Sequence, residues 1–169
     1  MSAQLRGPGI YPETQPVTTN ADLGFSAWQG TNVRPQKQAG YVMVAVRVPL
    51  GDLTSEQMRV LGDLALAYSD GTACVTADQG FVFRWIKTDR VKDLYRSLCA
   101  ASLGLAGANT IADVGSCPGA ESCKLAVTQS RGLGKTLDEF LRASPELVAL
   151  APDVDIKISG CPKIGRAHV

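Results

Sequence analysis

The chain has 169 residues, of which 45% are hydrophobic and 20% are charged, and its formal net charge is +1. These values are typical of one globular domain, or slightly more, with a real hydrophobic core, and so small a charge gives no indication of binding to nucleic acid or to a membrane surface. No apolar run approaches the roughly 20 residues that span a bilayer, and the first residues lack the apolar stretch of a secretory signal, so a cytoplasmic protein is predicted.

Residues 1–38 are predicted to form an extended linker segment, because proline and glycine recur too often for a periodic element. Phe25 and Trp28 are the side chains that we expect to anchor this segment on a neighbouring surface. So long a segment without structure of its own is unusual inside a compact domain, which indicates that the natural chain begins before Met1. The interrupting residues are Pro8, Gly9, Pro12, Pro16, Gly24, Gly30 and Pro35.

Residues 39–106 have the pattern of a β-α-β-β-α unit. An apolar and mostly β-branched run over residues 41–49 predicts the first strand. Thr54 and Gln57 match a capping box, which predicts that a helix begins there. The apolar positions of this helix follow helical spacing at Met58, Leu61, Leu64, Ala65 and Tyr68.

A hairpin and a second helix complete the unit. Residues 72–76 and 81–86 are predicted strands, joined by a turn at residues 77–80. Thr88 or Asp89 can cap the helix that follows, whose face carries Val91, Leu94, Tyr95, Leu98 and Ser102. This order is half of a ferredoxin-like arrangement, so the predicted fold class is α+β. Such a half exposes a sheet edge and is expected to pair with a second copy, yet the sequence contains no internal repeat.

Residues 107–162 are predicted to be the truncated start of a second domain, of α/β type. The composition shifts to small residues after Gly104, which indicates a boundary near residue 107. The pattern predicts helices over residues 120–130 and 136–141, separated by a glycine-rich break, and a strand over residues 154–159.

Three of the five cysteines lie in two short loops of this second domain. Cys117 and Cys123 flank a Pro-Gly-Ala-Glu-Ser stretch, and Cys161 lies in a Ser-Gly-Cys-Pro stretch after the predicted strand. An odd number of cysteines without an export signal favours metal binding or catalysis over disulfides. Thiolates in such loops suit a soft metal centre, and four cysteines are the usual ligands of an iron–sulfur cluster, so one ligand is missing. The single histidine, His168, gives little basis for a Ser-His-Asp or Cys-His hydrolase.

The cysteine spacing and its neighbours resemble the sirohaem nitrite and sulfite reductases. The pattern is Cys-x₅-Cys, a gap of 37 residues and then Ser-Gly-Cys-Pro at a strand end. The resemblance covers residues 34–162. Three upstream blocks look like the start of the family's second ferredoxin-like half-domain: Arg34-Pro35-Gln36-Lys37-Gln38, Gly40-Tyr41 and Val48-Pro49-Leu50-Gly51. A fourth block, Thr76-Ala77-Asp78-Gln79, looks like the family's Thr-x-x-Gln turn against the sirohaem.

This resemblance implies two cofactors. A [4Fe–4S] cluster is expected on four cysteines, of which Cys117, Cys123 and Cys161 would be the first three, and the fourth would also bridge to the sirohaem iron. Gln79 is an expected sirohaem contact. Arg84 is a candidate for binding the haem carboxylates or steering an anion, since arginine suits bidentate anion recognition.

The resemblance also implies a reaction and partners. The expected substrate is nitrite or sulfite, reduced to ammonia or sulfide with six electrons that ferredoxin or a flavoprotein donates. Most of the basic groups that hold the anion would belong to a missing N-terminal half of the same protein. The chain on its own is therefore expected to bind no sirohaem and to be inactive.

The chain departs from the family pattern after Pro162. The fourth cysteine is expected four residues after Cys161, where the sequence has Gly165. Residues 163–169 resemble the translation of a sequencing-library adapter. We therefore interpret them as a non-native tail, and the chain as a fragment cut at the fourth ligand.

Other interpretations of these residues stay open. The three loop cysteines could be buried thiols that act as small hydrophobes, or zinc ligands together with His168. Arg84 equally fits a solvated strand end, and Cys74 and Cys99 are interpreted as core residues. For the whole protein, the alternatives are a non-enzymatic iron–sulfur electron carrier and a degenerate structural module without a cofactor.

Overall fold

The computed structural model describes residues 21–162, in which helices and short strands are mixed. The α-helices of this range are α1 (Ala21–Asn32), α2 (Ser55–Tyr68), α3 (Val91–Ala100), α4 (Ser130–Arg142) and α5 (Pro145–Leu150). Its strands are β1 (Val33–Pro35), β2 (Tyr41–Val46), β3 (Ala73–Val75), β4 (Phe81–Lys87), β5 (Gly115–Ser116) and β6 (Lys157–Ile158). Short 3₁₀ turns lie at Pro49–Gly51, Thr88–Arg90 and Gly119–Glu121.

Four strands form an antiparallel sheet in the order β1-β2-β4-β3. At its centre β2 pairs with β4, and Val44 lies opposite Phe83. A bulge follows Val42, and Trp85 on the facing stretch of β4 has a φ of 59°, a left-handed conformation that is rare for a bulky side chain. With α2 and α3, three of these strands (β2, β3 and β4) give the predicted β-α-β-β-α order, which confirms the ferredoxin-like half-domain and the α+β fold.

The core of the half-domain is built from the apolar helix faces that the sequence predicts. Leu61 and Leu64 of α2 and Leu94 and Leu98 of α3 are all at most 5% exposed, and they pack in one cluster with the central strands. Cys99 packs against this cluster, as expected of a core residue.

The start of α2 follows its predicted capping box. The Gln57 N–H donates to the Thr54 hydroxyl, and the Thr54 N–H donates to the Gln57 side-chain oxygen. Met58, at the first of the predicted apolar positions, is 49% exposed and lines an open groove.

The extended segment predicted for residues 1–38 is wrong where the structure describes it, because residues 21–32 form α1 and residues 33–35 form β1. Residues 1–20 lie outside the described part. Trp28 is fully buried, and its ring centroid lies 4.8 Å from that of Tyr95. Phe25 stacks on the Trp28 ring. Burying such a side chain stabilises by about 1.5–3 kcal/mol, which offsets the roughly 1 kcal/mol that each glycine costs in a helix. The expected anchoring role of these two aromatic residues is confirmed.

A second, smaller core lies in the part of the chain after residue 106. Ala112, Val114 and Leu141 are its buried residues, and Ile158 packs against them. The parallel strands β5 and β6 pair beside it, with Ser116 opposite Ile158. The predicted strand over residues 154–159 therefore exists, but only its residues 157–158 are paired. The predicted boundary near residue 107 remains a prediction.

The helix predicted over residues 120–130 is wrong in position, whereas the helix predicted over residues 136–141 is part of a longer helix that begins earlier. Residues 119–121 form a 3₁₀ turn, and the N–H groups of Val127 and Thr128 donate to the Gly160 carbonyl rather than along a helix. The true helix, α4, begins at Ser130 and runs through the predicted break, because Gly134 packs against Ser116 and Leu50 where a larger residue would not fit.

A buried arginine joins the two cores. Arg47, 2% exposed at the end of β2, forms ion pairs with Asp138 of α4 and with Asp113 (3.5 Å) and donates to the carbonyls of Ala106 (3.2 Å) and Ala112. Burial lowers the pKa of Arg47, although Asp138 and Asp113 oppose this shift. Burial likewise raises the pKa of Asp113, although the hydrogen bond from the Asn109 N–H and the charge of Arg47 act in the opposite direction. The two cores are therefore connected by a buried cluster of charges, in which ion pairs and hydrogen bonds to Arg47 compensate for the loss of water.

Candidate metal centre

The two cysteine loops are brought together by the pairing of β5 and β6. The Gly115 N–H donates to the Ile156 carbonyl at 2.9 Å, and the Cys117 N–H donates to the Ile158 carbonyl at 3.0 Å. Each strand leads directly into one loop, since Cys117 follows β5 and Cys161 follows β6 by three residues. Although about 40 residues separate these loops in sequence, they therefore lie side by side.

The sulfur of Cys117 has hydrogen-bond partners from the second cysteine loop and from α4. The Gly160 N–H donates to it at 3.1 Å, and the Ser130 Oγ lies 3.2 Å from it. The same hydroxyl donates to the Cys117 carbonyl at 2.9 Å. Ser130 is the first residue of the 13-residue helix α4, so the positive end of that helix is directed at this loop. Such N–H donors and helix ends stabilise negative charge on sulfur.

Two glycines allow the loops to approach this closely. A Cβ on Gly160 would lie 2.9 Å from the Gly119 Cα and 3.0 Å from the Thr128 carbonyl oxygen. Gly119 has a φ of +60° and faces the backbone of Ser130. Because backbone atoms surround both positions, neither accepts a side chain without displacing a loop.

Cys123 lies in the turn that leads away from Gly119. Its N–H donates to the Gly119 carbonyl at 2.9 Å, and its carbonyl accepts from Ala126 at 3.2 Å. Like Cys117 and Cys161, it is partly buried. The three loop cysteines thus belong to one set of contacting loops. Within residues 21–162, however, no three Cys, His, Asp or Glu side chains are grouped so that they could hold a metal ion.

The residues expected at a sirohaem lie apart from each other. The Gln79 Oε1 accepts a hydrogen bond at 3.1 Å from the N–H of Ser116, immediately before Cys117. Arg84 instead pairs with Asp70 at 3.5 Å and contacts the Thr72 hydroxyl, and its side chain is 47% exposed. Gln79 is therefore next to the cysteine loops, whereas the side chain of Arg84, on β4, contacts the turn after α2.

Ser130, Gly160 and Arg131 are also parts of this site, although none of them was predicted to be. Arg131 follows Ser130 on α4 and forms ion pairs with Glu121 (3.0 Å), in the first cysteine loop, and with Asp52. A serine and an arginine in a polar stretch carry no sequence signal of their own. The Gly160 position was visible only as part of the Ser-Gly-Cys-Pro stretch.

The chain is similar to known reductases in sequence. Residues 34–101 match the family described as the nitrite/sulfite reductase ferredoxin-like half domain. A ferredoxin–nitrite reductase of Leptolyngbya laminosa is 28% identical over 141 residues, which are 79% of this chain and 28% of that protein. Sulfite reductase (ferredoxin) 2 of Mycolicibacterium paratuberculosis is 25% identical over 152 residues, which are 89% of this chain and 24% of that protein. The chain thus spans about a quarter of the length of these relatives.

Solved structures share its fold. The NirA protein of Mycobacterium tuberculosis matches with a TM-score of 0.65 and 24% identity, over 79% of this chain and 25% of that one. Dissimilatory sulfite reductase I matches with a TM-score of 0.60 and 13% identity, over 85% of this chain and 39% of that one.

Within the described residues, no helix is long and apolar enough to cross a membrane.

Proposed function

We propose that this chain is a fragment of a member of the nitrite/sulfite reductase family, an enzyme that reduces nitrite to ammonia or sulfite to sulfide; the match over residues 34–101 and the similar reductases support this proposal. In that intact protein, ferredoxin or a flavoprotein would donate the six electrons. The fragment would contribute the second ferredoxin-like half-domain and the first part of the cluster-binding domain.

Cys117, Cys123 and Cys161 are the residues proposed to hold a [4Fe–4S] cluster. The observation that carries this proposal is the hydrogen bond from the Gly160 N–H to the Cys117 sulfur, which ties the first cysteine loop to the second, the loop of Cys161. Three thiols are the right donors for iron, and an N–H directed at sulfur is typical of ligating cysteines. When bound, the cluster would supply one-electron transfer to a sirohaem, on whose iron the anion would be reduced.

The chain's own residues would act by holding and orienting. Gln79 lines an open groove with Leu53, Met58 and Val75, and its amide nitrogen is the group that we propose to meet the sirohaem. Arg84 is the proposed cation for the haem carboxylates or the anion. Since its present partner, Asp70, is a surface carboxylate, that pair is weak enough to exchange. The fragment alone is proposed to be inactive, because the other groups of the anion site would lie elsewhere in the intact protein.

Anaerobic reconstitution with iron and sulfide tests the ligand assignment. Bound iron, visible absorbance and the EPR spectrum are compared for the chain and for its Cys117→Ser, Cys123→Ser and Cys161→Ser variants. Each variant is expected to lose metal affinity by at least the roughly 10–100-fold that changes around a metal site cause. Cys74→Ser and Cys99→Ser are the matched controls and should bind as much iron as the parent chain.

Two results would contradict the proposal. If the parent chain takes up no iron, or if the control variants lose as much iron as the loop variants, these three cysteines are not the ligands. Addition of sirohaem to the reconstituted chain tests the inactivity separately, since measurable reduction of nitrite or sulfite would show that the fragment is sufficient.

A further inference from the structure

We propose that Gln79 is a positioning residue for Cys117: the Gln79 side chain fixes the strand β5, which leads into this cysteine. The link between the half-domain and β5 follows from the contacts alone, and only its importance for a cluster rests on the proposed function. Gln79 would therefore act on the cysteine corner through the backbone, in addition to any contact of its amide nitrogen with a cofactor.

The backbone of β5 is hydrogen-bonded on both of its edges. The N–H groups of Gly115 and Cys117 donate to the carbonyls of Ile156 and Ile158 on one side. The N–H of Ser116 points to the other side, where the Gln79 Oε1 accepts it at 3.1 Å. Ser116 is only 1% exposed, so without this oxygen its N–H would be a buried donor without a partner. The glutamine side chain thus takes the place of a neighbouring strand.

The turn that carries Gln79 is firmly attached to the half-domain. The Thr76 N–H donates to the Gly80 carbonyl, and the Gly80 N–H donates to the Thr76 hydroxyl, both at 3.0 Å. A Cβ on Gly80 would lie 2.8 Å from the Val46 carbonyl oxygen, so the turn lies directly against β2. Any shift of this turn would have to move the central sheet as well.

Two features restrict the conformation of Gln79. Its φ is +66°, a left-handed value that few residues other than glycine adopt without strain. A Cβ on Gly51 would lie 3.1 Å from the Gln79 Cβ, so the side chain is confined between residue 51 and β5. A confined side chain on a rigid turn is what a positioning contact requires.

Three variants test the contact by amide hydrogen exchange of the full chain. Gln79→Asn suits the left-handed turn but is one methylene too short to reach Ser116. Gln79→Glu keeps an acceptor oxygen at the same distance. Gln36→Ala is the matched control, because the Gln36 Oε1 accepts from the Trp85 N–H at 2.8 Å in the same way but far from the cysteines in sequence.

The exchange rate of the Ser116 amide is expected to rise about tenfold in Q79N, the cost of losing one buried hydrogen bond, and to stay near the parent value in Q79E. In Q36A the Trp85 amide should lose protection and the Ser116 amide should keep it. Unchanged Ser116 exchange in Q79N, or equal loss in Q79N and Q79E, would overturn the inference.

The alkylation rate of each cysteine by iodoacetamide separates positioning from general loss of stability. In Q79N the rate at Cys117 is expected to rise relative to the rates at Cys74 and Cys99, whereas global destabilisation would raise all of them together. Neither measurement needs a cluster. If iron binding fails while these results hold, only the proposed function is wrong; if Ser116 and Cys117 do not respond, the positioning role is wrong.

Discussion

Replacement of Arg47 by methionine is the sharpest test of how the two cores are joined. The substitution keeps an apolar stem of similar length but removes the charge from a site that is 2% exposed. It leaves the carboxylate of Asp138, 8% exposed, and that of Asp113, 15% exposed, without their buried partner. The carbonyls of Ala106 and Ala112 also lose a donor.

The expected loss of stability is large. Removal of one partner from a buried ion pair destabilises by roughly 3–5 kcal/mol, because the remaining charge stays desolvated. Replacement of both partners by apolar groups is often nearly neutral. Arg47→Met combined with Asp138→Leu should therefore be more stable than Arg47→Met alone, although Asp113 still lacks its partner in both.

Urea unfolding measures these differences. With a urea dependence of about 1–3 kcal/mol per molar, a loss of 3 kcal/mol lowers the unfolding midpoint of the Arg47→Met variant by about 1 M or more. Arg142→Met is the control, because this exposed arginine lies 3.7 Å from the Asp138 carboxylate. Its loss should lower the free energy of unfolding by less than about 1 kcal/mol. If the double variant loses as much as the sum of its two single variants, the charges are not coupled and the argument fails.

Three further outcomes are expected. Gly134→Ala should destabilise the chain by about 1–3 kcal/mol, since the new Cβ would lie 3.0 Å from the Ser116 Cβ. Gly132 lies in the same helix with open space around it, so Gly132→Ala should stabilise the chain by about 1 kcal/mol. Thermal unfolding of the two variants measures the difference. Because the folded pKa of Asp113 is raised above its ordinary 3.8, the unfolded chain releases this proton first, so stability should fall as pH rises from about 4 through the raised pKa, and Asp113→Asn should flatten that fall. Gly165→Cys, which supplies the expected fourth thiol, should slow the loss of iron to a chelator after reconstitution, whereas Gly165→Ser should not.

The half-domain could be predicted from sequence because its signals are local. The capping box at Thr54, the apolar spacing of α2 and α3 and the hairpin turn each lie within a few residues of the element that they specify. Helix α1 could not be predicted in this way, since its glycines are unfavourable locally and it is the burial of Trp28 against Tyr95 that stabilises it. Tertiary packing outweighed local propensity there.

The residue types of the candidate site could be predicted, but their environment could not. The cysteine pattern identified Cys117, Cys123 and Cys161, whose role as ligands remains a prediction. A helix over residues 120–130 looked favourable locally, yet Val127 and Thr128 donate to Gly160, more than 30 residues further along the chain. Contacts at such a distance in sequence leave no periodic pattern in it.

The brevity of β5 and β6 has a consequence for the order of assembly. Each strand contributes two residues to a parallel pair whose partners are about 40 residues apart in the chain. The entropy of closing so long a loop is recovered by very few bonds. The β2–β4 pair spans a similar length of chain, but it is paired at five positions and is extended by β1 and β3, each joined to it over a short turn. The sheet of the half-domain should therefore form early, and the thiol-bearing corner should close last and open first, which would give the iron of the proposed cluster a route in while the rest of the molecule stays folded.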